Sequence, residues 1–311
     1  LETIQKKLKG YGMNMPEVKS SYQDAPASTP TTFPAQHQGV QPGSQQQMNP
    51  VPVTDNPAYR GSGKLENKVA IITGGDSGIG QAVAVAFAKE GADIVVAYYS
   101  QQEDAERTVQ MVQSAGRRCV TVKCDLKQET CSQQVVETAM HEFSKIDVLV
   151  NNIAVQYPQN KIEDISAEQL NETFTTNIFS FFYMTKAVMP HMKAGCSIIS
   201  TTSVTAYEGS ATLLDYSATK GAIVSFTRSL ALSVAPDGIR VNAVAPGPVW
   251  TPLIPSSFDE QKVAQFGKDV PFGRAAQPFE LAPAYVYLAS EDSAFVTGQV
   301  IHVNGGVITG S

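Results

Sequence analysis

No stretch of this 311-residue chain keeps apolar side chains together for the roughly 18–20 residues that a membrane-spanning helix needs. The run from Ile178 to Val188 is short and is broken by Thr185 and Lys186, so no membrane partner is expected. A long basic run is also missing. With 23 Lys and Arg against 29 Asp and Glu, net charge is −6, and nucleic acid is not expected as a partner because phosphate binding needs clustered cations. The small Lys6, Lys7 and Lys9 cluster reads as a solvated tail segment.

The four cysteines, Cys119, Cys124, Cys131 and Cys196, form no Cys-x-x-Cys pair, and His37, His141, His191 and His302 show no paired metal spacing. No metal is therefore expected, and the cysteines read as reduced, partly buried thiols. The first residues lack the charged-then-apolar pattern of a secretory signal, which points to a cytoplasmic protein. Two other chemistries lack their parts: there is no Gly-x-Ser-x-Gly elbow and no Gly-Lys-Ser/Thr phosphate loop. The carboxylate pairs Glu103/Asp104 and Asp259/Glu260 read as solvated.

What is present divides near residue 64. Residues 1–63 are rich in Pro, Gln, Ser, Thr and Gly, with too few apolar side chains to offset the entropy of ordering. They are expected to be disordered or to lie as an extended arm over the core, with Tyr59 anchoring the end. Residues 64–311 alternate short β-rich runs with helical patterns. The strand candidates are Val69–Thr73, Asp93–Ala97, Cys119–Lys123, Ile146–Val150, Ser197–Ser200, Ile239–Ala243 and Gln299–Val303. Between the first two, Ile79, Ala82, Val83, Ala86 and Phe87 share one helical face. Repeated βα units of this kind predict a single α/β domain, a doubly wound, Rossmann-type parallel sheet of about seven strands.

The first strand runs into Thr73-Gly-Gly-Asp-Ser-Gly-Ile-Gly80 and straight on into the helix. Glycines permit a sharp turn and close approach of a pyrophosphate, and the helix N-terminus offers free N–H groups to it. Thr-Gly-x-x-x-Gly-x-Gly resembles the signature of the short-chain dehydrogenase/reductase family. Asn151-Asn-Ile-Ala154 resembles its Asn-Asn-Ala-Gly element, with Ala154 in place of the glycine. Pro246-Gly-Pro-Val-Trp-Thr251 resembles its Pro-Gly-x-x-x-Thr segment.

The resemblance covers about residues 65–306. Several strings, Ile301-His-Val-Asn-Gly-Gly306 among them, resemble a bacterial subgroup called general stress proteins or glucose/ribitol dehydrogenase homologues. It implies a nicotinamide dinucleotide held by Gly74, Asp76, Ser77, Gly78, Ile79 and Gly80, then by Tyr98, Asp125 and Leu126. Further along the chain the implied contacts are Asn152, Ala154, Thr201, Pro246, Gly247, Val249 and Thr251. The second strand ends Ala97-Tyr98-Tyr99-Ser100, with neither the aspartate usual in NAD-preferring members nor an arginine for a 2′-phosphate. A carboxylate at Asp76 would repel that phosphate, so NAD is the expected cofactor and NADP the alternative.

Tyr216-Ser-Ala-Thr-Lys220 places a phenol and an ammonium four apart, on one helix face. A phenol of ordinary pKa, about 10, is a poor base at neutral pH; a nearby cation would lower it. Tyr216 is thus the candidate acid/base, with Lys220 tuning it and, by resemblance, binding the nicotinamide ribose. Ser203, thirteen residues before Tyr216, is implied to hold the substrate oxygen, and Asn177 to steady a water in the proton relay. The chain is thus expected to be an oxidoreductase acting on a small alcohol or carbonyl compound, with a sugar or polyol suggested by resemblance alone.

Residues 249–275 break the βα rhythm and are expected to act as a lid, with Trp250 and Leu253 near the nicotinamide. Tyr207, Glu208 and Leu214 flank the catalytic segment as candidate substrate neighbours, each with an equal claim to a core or surface role. The helices from Ile178 and through Gly221–Phe226 offer apolar surface between subunits, and the resemblance implies a homotetramer.

Overall fold

The computed structural model describes residues 30–309. Seven short runs of β-branched and aliphatic residues become the strands β1 (Val69–Thr73), β2 (Asp93–Tyr98), β3 (Cys119–Lys123), β4 (Val148–Asn151), β5 (Ser197–Thr201), β6 (Arg240–Pro246) and β7 (Val300–Val303). They form one parallel sheet in the order β3-β2-β1-β4-β5-β6-β7. The order reverses between β1 and β4, and a crevice opens there beyond the strand C-termini. β1 and β3 keep the bounds of the sequence reading; the other strands shift at one or both ends by one to three residues, most at β6, which continues to Pro246.

In chain order the helices are α1 (Gly78–Lys89), α2 (Gln102–Ser114), α3 (Glu129–Phe143), α4 (Ala167–Phe174), α5 (Ser180–Val188), α6 (Thr205–Glu208), α7 (Leu214–Val234), α8 (Glu260–Gln265) and α9 (Ala282–Ala289). They cover both faces of the sheet, giving two cores. One holds α1, α9 and sheet residues such as Ile72, Val96 and Val150; the other holds Ile71, Leu149, Ile198 and the inner faces of α3 and α7. None of the helices among the described residues is long and apolar enough to cross a membrane.

Helix α1 has almost no polar face. Nearly all of Gly78–Ala88 is buried, which a helix that is apolar all round requires. Part of its cover is the N-terminal segment, whose described residues, 30–63, run extended across the domain. Thr54 Oγ1 and Gln45 Nε2 both donate to Gln81 Oε1 on α1, each at 2.7 Å. Glu90, just past α1, accepts from Tyr59 OH and from the N–H groups of Ser62 and Lys64. The expectation for Lys6, Lys7 and Lys9 lies outside the described residues.

The cysteine reading needs correction. Cys124, just past β3, and Cys131, in α3, are disulfide-bonded with their Cα atoms 5.9 Å apart. Seven residues of spacing matched no metal or redox motif, but the turn after β3 folds back on itself. Gln128 N–H donates to the Asp125 carbonyl and Cys131 N–H to the Gln128 carbonyl, which brings the two side chains within bridging distance. Cys119 and Cys196 are buried thiols, and burial pushes Cys119 up to about 12.

Candidate active site

The crevice at the switch point is a cleft of about 540 Å³. Its floor is the β1–α1 turn. Gly74 takes φ +64, and a Cβ on Gly80 would stand 2.0 Å from the Gly74 carbonyl oxygen, so only glycine lets the helix start this close to the strand. Gly74, Asp76, Ser77, Gly78 and Ile79 line the cleft, whereas Gly80 packs beneath the turn. Ser77 is the N-cap of α1 but makes no side-chain cap bond. Among the described residues the N–H groups of Ile79 and Gly80 take no backbone acceptor, leaving the donors that a pyrophosphate needs.

Asn152 ties the floor together. Its amide donates to the Thr73 and Gly74 carbonyls, each at 3.3 Å, and its Oδ1 accepts from Thr201 Oγ1 at 3.0 Å. The ends of β1, β4 and β5 are thereby fixed around the cleft. Tyr98, Asp125, Leu126, Ala154, Thr201, Pro246, Gly247, Val249 and Thr251 all line it too. Tyr98 OH is held by Gln102 Oε1. A Cβ on Gly247 would meet the Asn304 backbone at 2.7 Å, so this wall is closely packed as well. A nicotinamide dinucleotide fits these residues: a glycine turn, free helix N–H groups and an elongated cleft along the strand ends.

Tyr216 and Lys220, on α7, are both buried and both line the cleft with Ser203. Lys220 Nζ donates to the Thr201 carbonyl at 3.0 Å and stands 5.3 Å from the centre of the Tyr216 ring. Burial pushes the Tyr216 phenol up to about 12, while the neighbouring Ser203 hydroxyl pulls the other way. Burial pushes the Lys220 amine down to about 7. The expected lowering of the phenol by a nearby ammonium is thus not what this structure shows. Both groups are desolvated, and removal from water disfavours phenolate and ammonium alike. Ser203 Oγ accepts from Thr205 N–H at 3.1 Å and Thr205 Oγ1 at 3.0 Å.

Asn177 sits in a π-helical turn, Thr175–Phe179, and is buried behind the cleft rather than in its wall. Its Oδ1 accepts from Val155 N–H at 2.8 Å. Its Nδ2 donates to the Val155 carbonyl at 2.9 Å and to Thr219 Oγ1 at 3.2 Å. It therefore couples the loop after β4 to the helix of Tyr216.

Of the candidate substrate neighbours, Leu253 lines the cleft but Tyr207, Glu208 and Leu214 do not. Tyr207 turns its ring against His302, 4.6 Å between centroids. Trp250 is also misplaced by the sequence reading. It is 0% exposed, stacks on Phe33 and donates Nε1–H to the Pro50 carbonyl at 2.8 Å. The arm covers the indole, and no sequence signal marked that contact. Sequence reasoning also missed Gln41, Pro42 and Gly43 of the arm, and Gln156 and Tyr157 after the Asn-Asn element, all of which line the cleft.

A family model described as enoyl-(acyl carrier protein) reductase matches residues 74–308. General stress protein 39 of Bacillus subtilis is 52% identical over 90% of this chain and 98% of that protein. The chain belongs to the short-chain dehydrogenase/reductase family. It is an oxidoreductase. Glucose and ribitol dehydrogenase of Daucus carota is 50% identical over 89% of this chain and 97% of its own length. NADPH-dependent aldehyde reductase 1, chloroplastic, of Arabidopsis thaliana is 51% identical over 88% and 97%. Among solved structures, 3-ketoacyl-(acyl-carrier-protein) reductase of Brucella melitensis complexed with NADH matches with a TM-score of 0.70. It is 33% identical over 78% of this chain and 98% of that one.

Proposed function

We propose that this oxidoreductase moves a hydride between NAD(H) and an alcohol/carbonyl pair, with Tyr216 handling the proton. The carrying observation is the convergence of Tyr216, Lys220 and Ser203 on the cleft that the glycine turn also lines. When bound, the nicotinamide donates or accepts the hydride. Ser203 holds the substrate oxygen, and the protonated phenol of Tyr216 gives its proton to a carbonyl oxygen as it becomes an alkoxide. In the oxidising direction the phenolate has to form, and Ser203 and protonated Lys220 are the groups placed to stabilise it. Asn177 keeps Val155 and α7 in register.

NAD is favoured by the cations along the cleft. Among the described residues no arginine lines it, Lys127 is held by both Glu172 carboxylate oxygens at 3.0 Å and by Asp125 at 3.6 Å, and the further lysine besides Lys220, Lys262, stands on α8 in the segment after β6. NADP is the second reading, because burial holds the Asp76 carboxyl protonated up to about 7 and weakens its repulsion of a 2′-phosphate. The NADPH-dependent relative points the same way. A sugar or polyol substrate is suggested by the glucose and ribitol dehydrogenase likeness and by the polar Gln156, Tyr157 and Ser210 in the cleft wall.

A homotetramer completes the reading, with the cytoplasm as its compartment on the sequence and the Cys124–Cys131 bridge as the observation against that compartment. Phe179 and Phe182 at α5 are 44% and 51% exposed, and Phe182 packs on Phe226 of α7, leaving an apolar face for a second copy. Light scattering that returns a monomer at micromolar concentration would refute the assembly. Absorbance at the reduced-nicotinamide band, with polyols, sugars, aldehydes and ketones, tests the reaction. Tyr216→Phe should abolish turnover and retain nucleotide binding; an unchanged rate would remove the mechanism.

A further inference from the structure

The N-terminal arm does more than cover α1: it crosses the mouth of the cleft and is fastened on both sides. On the side of β2 and α2, Gln101 Nε2 donates to the Pro42 carbonyl at 2.8 Å, and Gln45 N–H donates to Asp104 Oδ2 at 2.7 Å. On the opposite side the Gln41 amide pairs with the main chain of Gln156. Its Nε2 donates to the Gln156 carbonyl at 2.7 Å, and its Oε1 accepts Gln156 N–H at 3.2 Å. Beyond this, Gln38 N–H donates to the Pro255 carbonyl at 2.7 Å. A Cβ on Gly43 would stand 2.8 Å from the Pro252 carbonyl oxygen, so the strand lies tight against that loop. Gln41, Pro42 and Gly43 are themselves cleft wall.

One contact places the crossing relative to the phosphate-binding turn. Gln45 Oε1 accepts Gly78 N–H at 2.8 Å, the first N–H of α1. The arm thus docks on the turn while the N–H groups of Ile79 and Gly80 stay without a backbone acceptor. It takes the first N–H of the helix and leaves those of Ile79 and Gly80 for a phosphate.

We infer that residues 38–45 form a retention strap for the dinucleotide, resting on the cofactor reading above. The strap joins the two walls of the switch-point crevice, so a nucleotide in the cleft leaves only when the Gln41–Gln156 or the Gln45 fastening opens. Substitutions that loosen the strap then raise the dissociation rate. Gln41 is half-buried and its partners are the main-chain groups of Gln156 in the cleft wall, outside the hydrophobic cores, so its truncation spares those cores.

The test measures dissociation of NADH and of NADPH from the full chain by stopped-flow displacement, with wild type, Gln41→Ala and Phe33→Ala. Gln41→Ala should release nucleotide about five- to tenfold faster, the scale of one or two lost hydrogen bonds, and Phe33→Ala, freed of the distal anchor, should also release it faster. Hydrogen exchange of the wild type needs no variant: amides of Gln38, Ser44 and Gln45 should exchange more slowly once nucleotide is bound. Unchanged or slower release, or arm amides that exchange faster with nucleotide present, would overturn the strap and leave the cofactor reading standing. A wild type that binds neither nucleotide would sink the cofactor reading, and the strap with it.

Discussion

Phe33 of the arm and Trp250 of the loop after β6 lie face to face, with ring centroids 3.7 Å apart and planes 8° from parallel. Together with Met48, Ile254, Val263 and Ala275 they make a small third core outside the two that flank the sheet. A buried aromatic truncated to alanine typically costs about 3–5 kcal/mol when the surroundings cannot detach. Phe33 belongs to the arm, outside the two cores that flank the sheet, and a segment that opens locally while the sheet stays folded caps the loss. Phe33→Ala should therefore lower the melting temperature less than Phe87→Ala, which empties a site at 0% exposure on α1. It should also shift the emission of Trp250, the one tryptophan, to the red. Equal losses in the two variants would show that arm and domain melt as one unit.

The pH dependence of Lys220 follows from its burial. Its folded pKa is pushed down to about 7 from an unfolded value of 10.5. Between those values the unfolded chain binds the proton and the folded chain does not, so this group makes stability rise with pH across that window. Below pH 7 the buried ammonium destabilises the fold in full. Lys220→Met should then be more stable than wild type at pH 6 by up to about 5 kcal/mol, less the cost of a Thr201 carbonyl left without its donor. The gap should close toward pH 10, and turnover should be lost throughout. Matched denaturation curves at pH 6 and pH 10 would refute it by showing a constant difference.

Much of this was legible in the sequence because periodicity and glycine placement are local signals. The seven strands, the α1 turn and the spacing of Ser203, Tyr216 and Lys220 needed only neighbours in the chain. Trp250 was misread, and Tyr207 left open between substrate and core, for the opposite reason. Their partners, Phe33 and His302, are remote in sequence, and nothing in either residue's surroundings names them. Helix α1 did carry a hint. Its Gln-Ala-Val-Ala-Val-Ala-Phe-Ala run has no polar face, so something had to cover it, and the Pro/Gln-rich arm was the uncommitted segment. The disulfide was hidden because bridging depends on the fold of the turn after β3, not on a motif.

The Cys124–Cys131 bridge closes a short loop, for which chain-entropy bookkeeping gives about 2 kcal/mol of stabilisation. Reductant should lower the melting temperature of the wild type correspondingly. Cys131→Ser, with no bridge to lose, should melt at the same temperature with and without it. Because Cys124, Asp125 and Leu126 all line the cleft, reduction should also weaken nucleotide binding. A wild type whose melting and binding ignore reductant would rule the bridge out as a contributor to either.

Asp76 lines the cleft, and burial pushes its carboxyl up to about 7, with the nearby Asp104 charge adding to the shift. Below that pH the folded protein presents a neutral acid to the nucleotide; above it, an anion. The discrimination against NADP should therefore grow with pH, by about tenfold in the ratio of the two dissociation constants between pH 6 and pH 8.5. The 2′-phosphate has its own second ionisation near about 6, which raises the same trend, so the control is Asp76→Asn. That variant should lose most of the pH dependence and bind NADP more tightly at pH 8.5. Linkage adds an independent readout. From pH 3.8 to about 7 the folded state holds a proton that the unfolded state has released, so this group makes stability fall as pH rises through that range. Asp76→Asn should be more stable than wild type at pH 8, by up to about 4 kcal/mol, and no more stable at pH 4. Nucleotide titrations that give the same ratio for both proteins at every pH would show that Asp76 takes no part in choosing the cofactor.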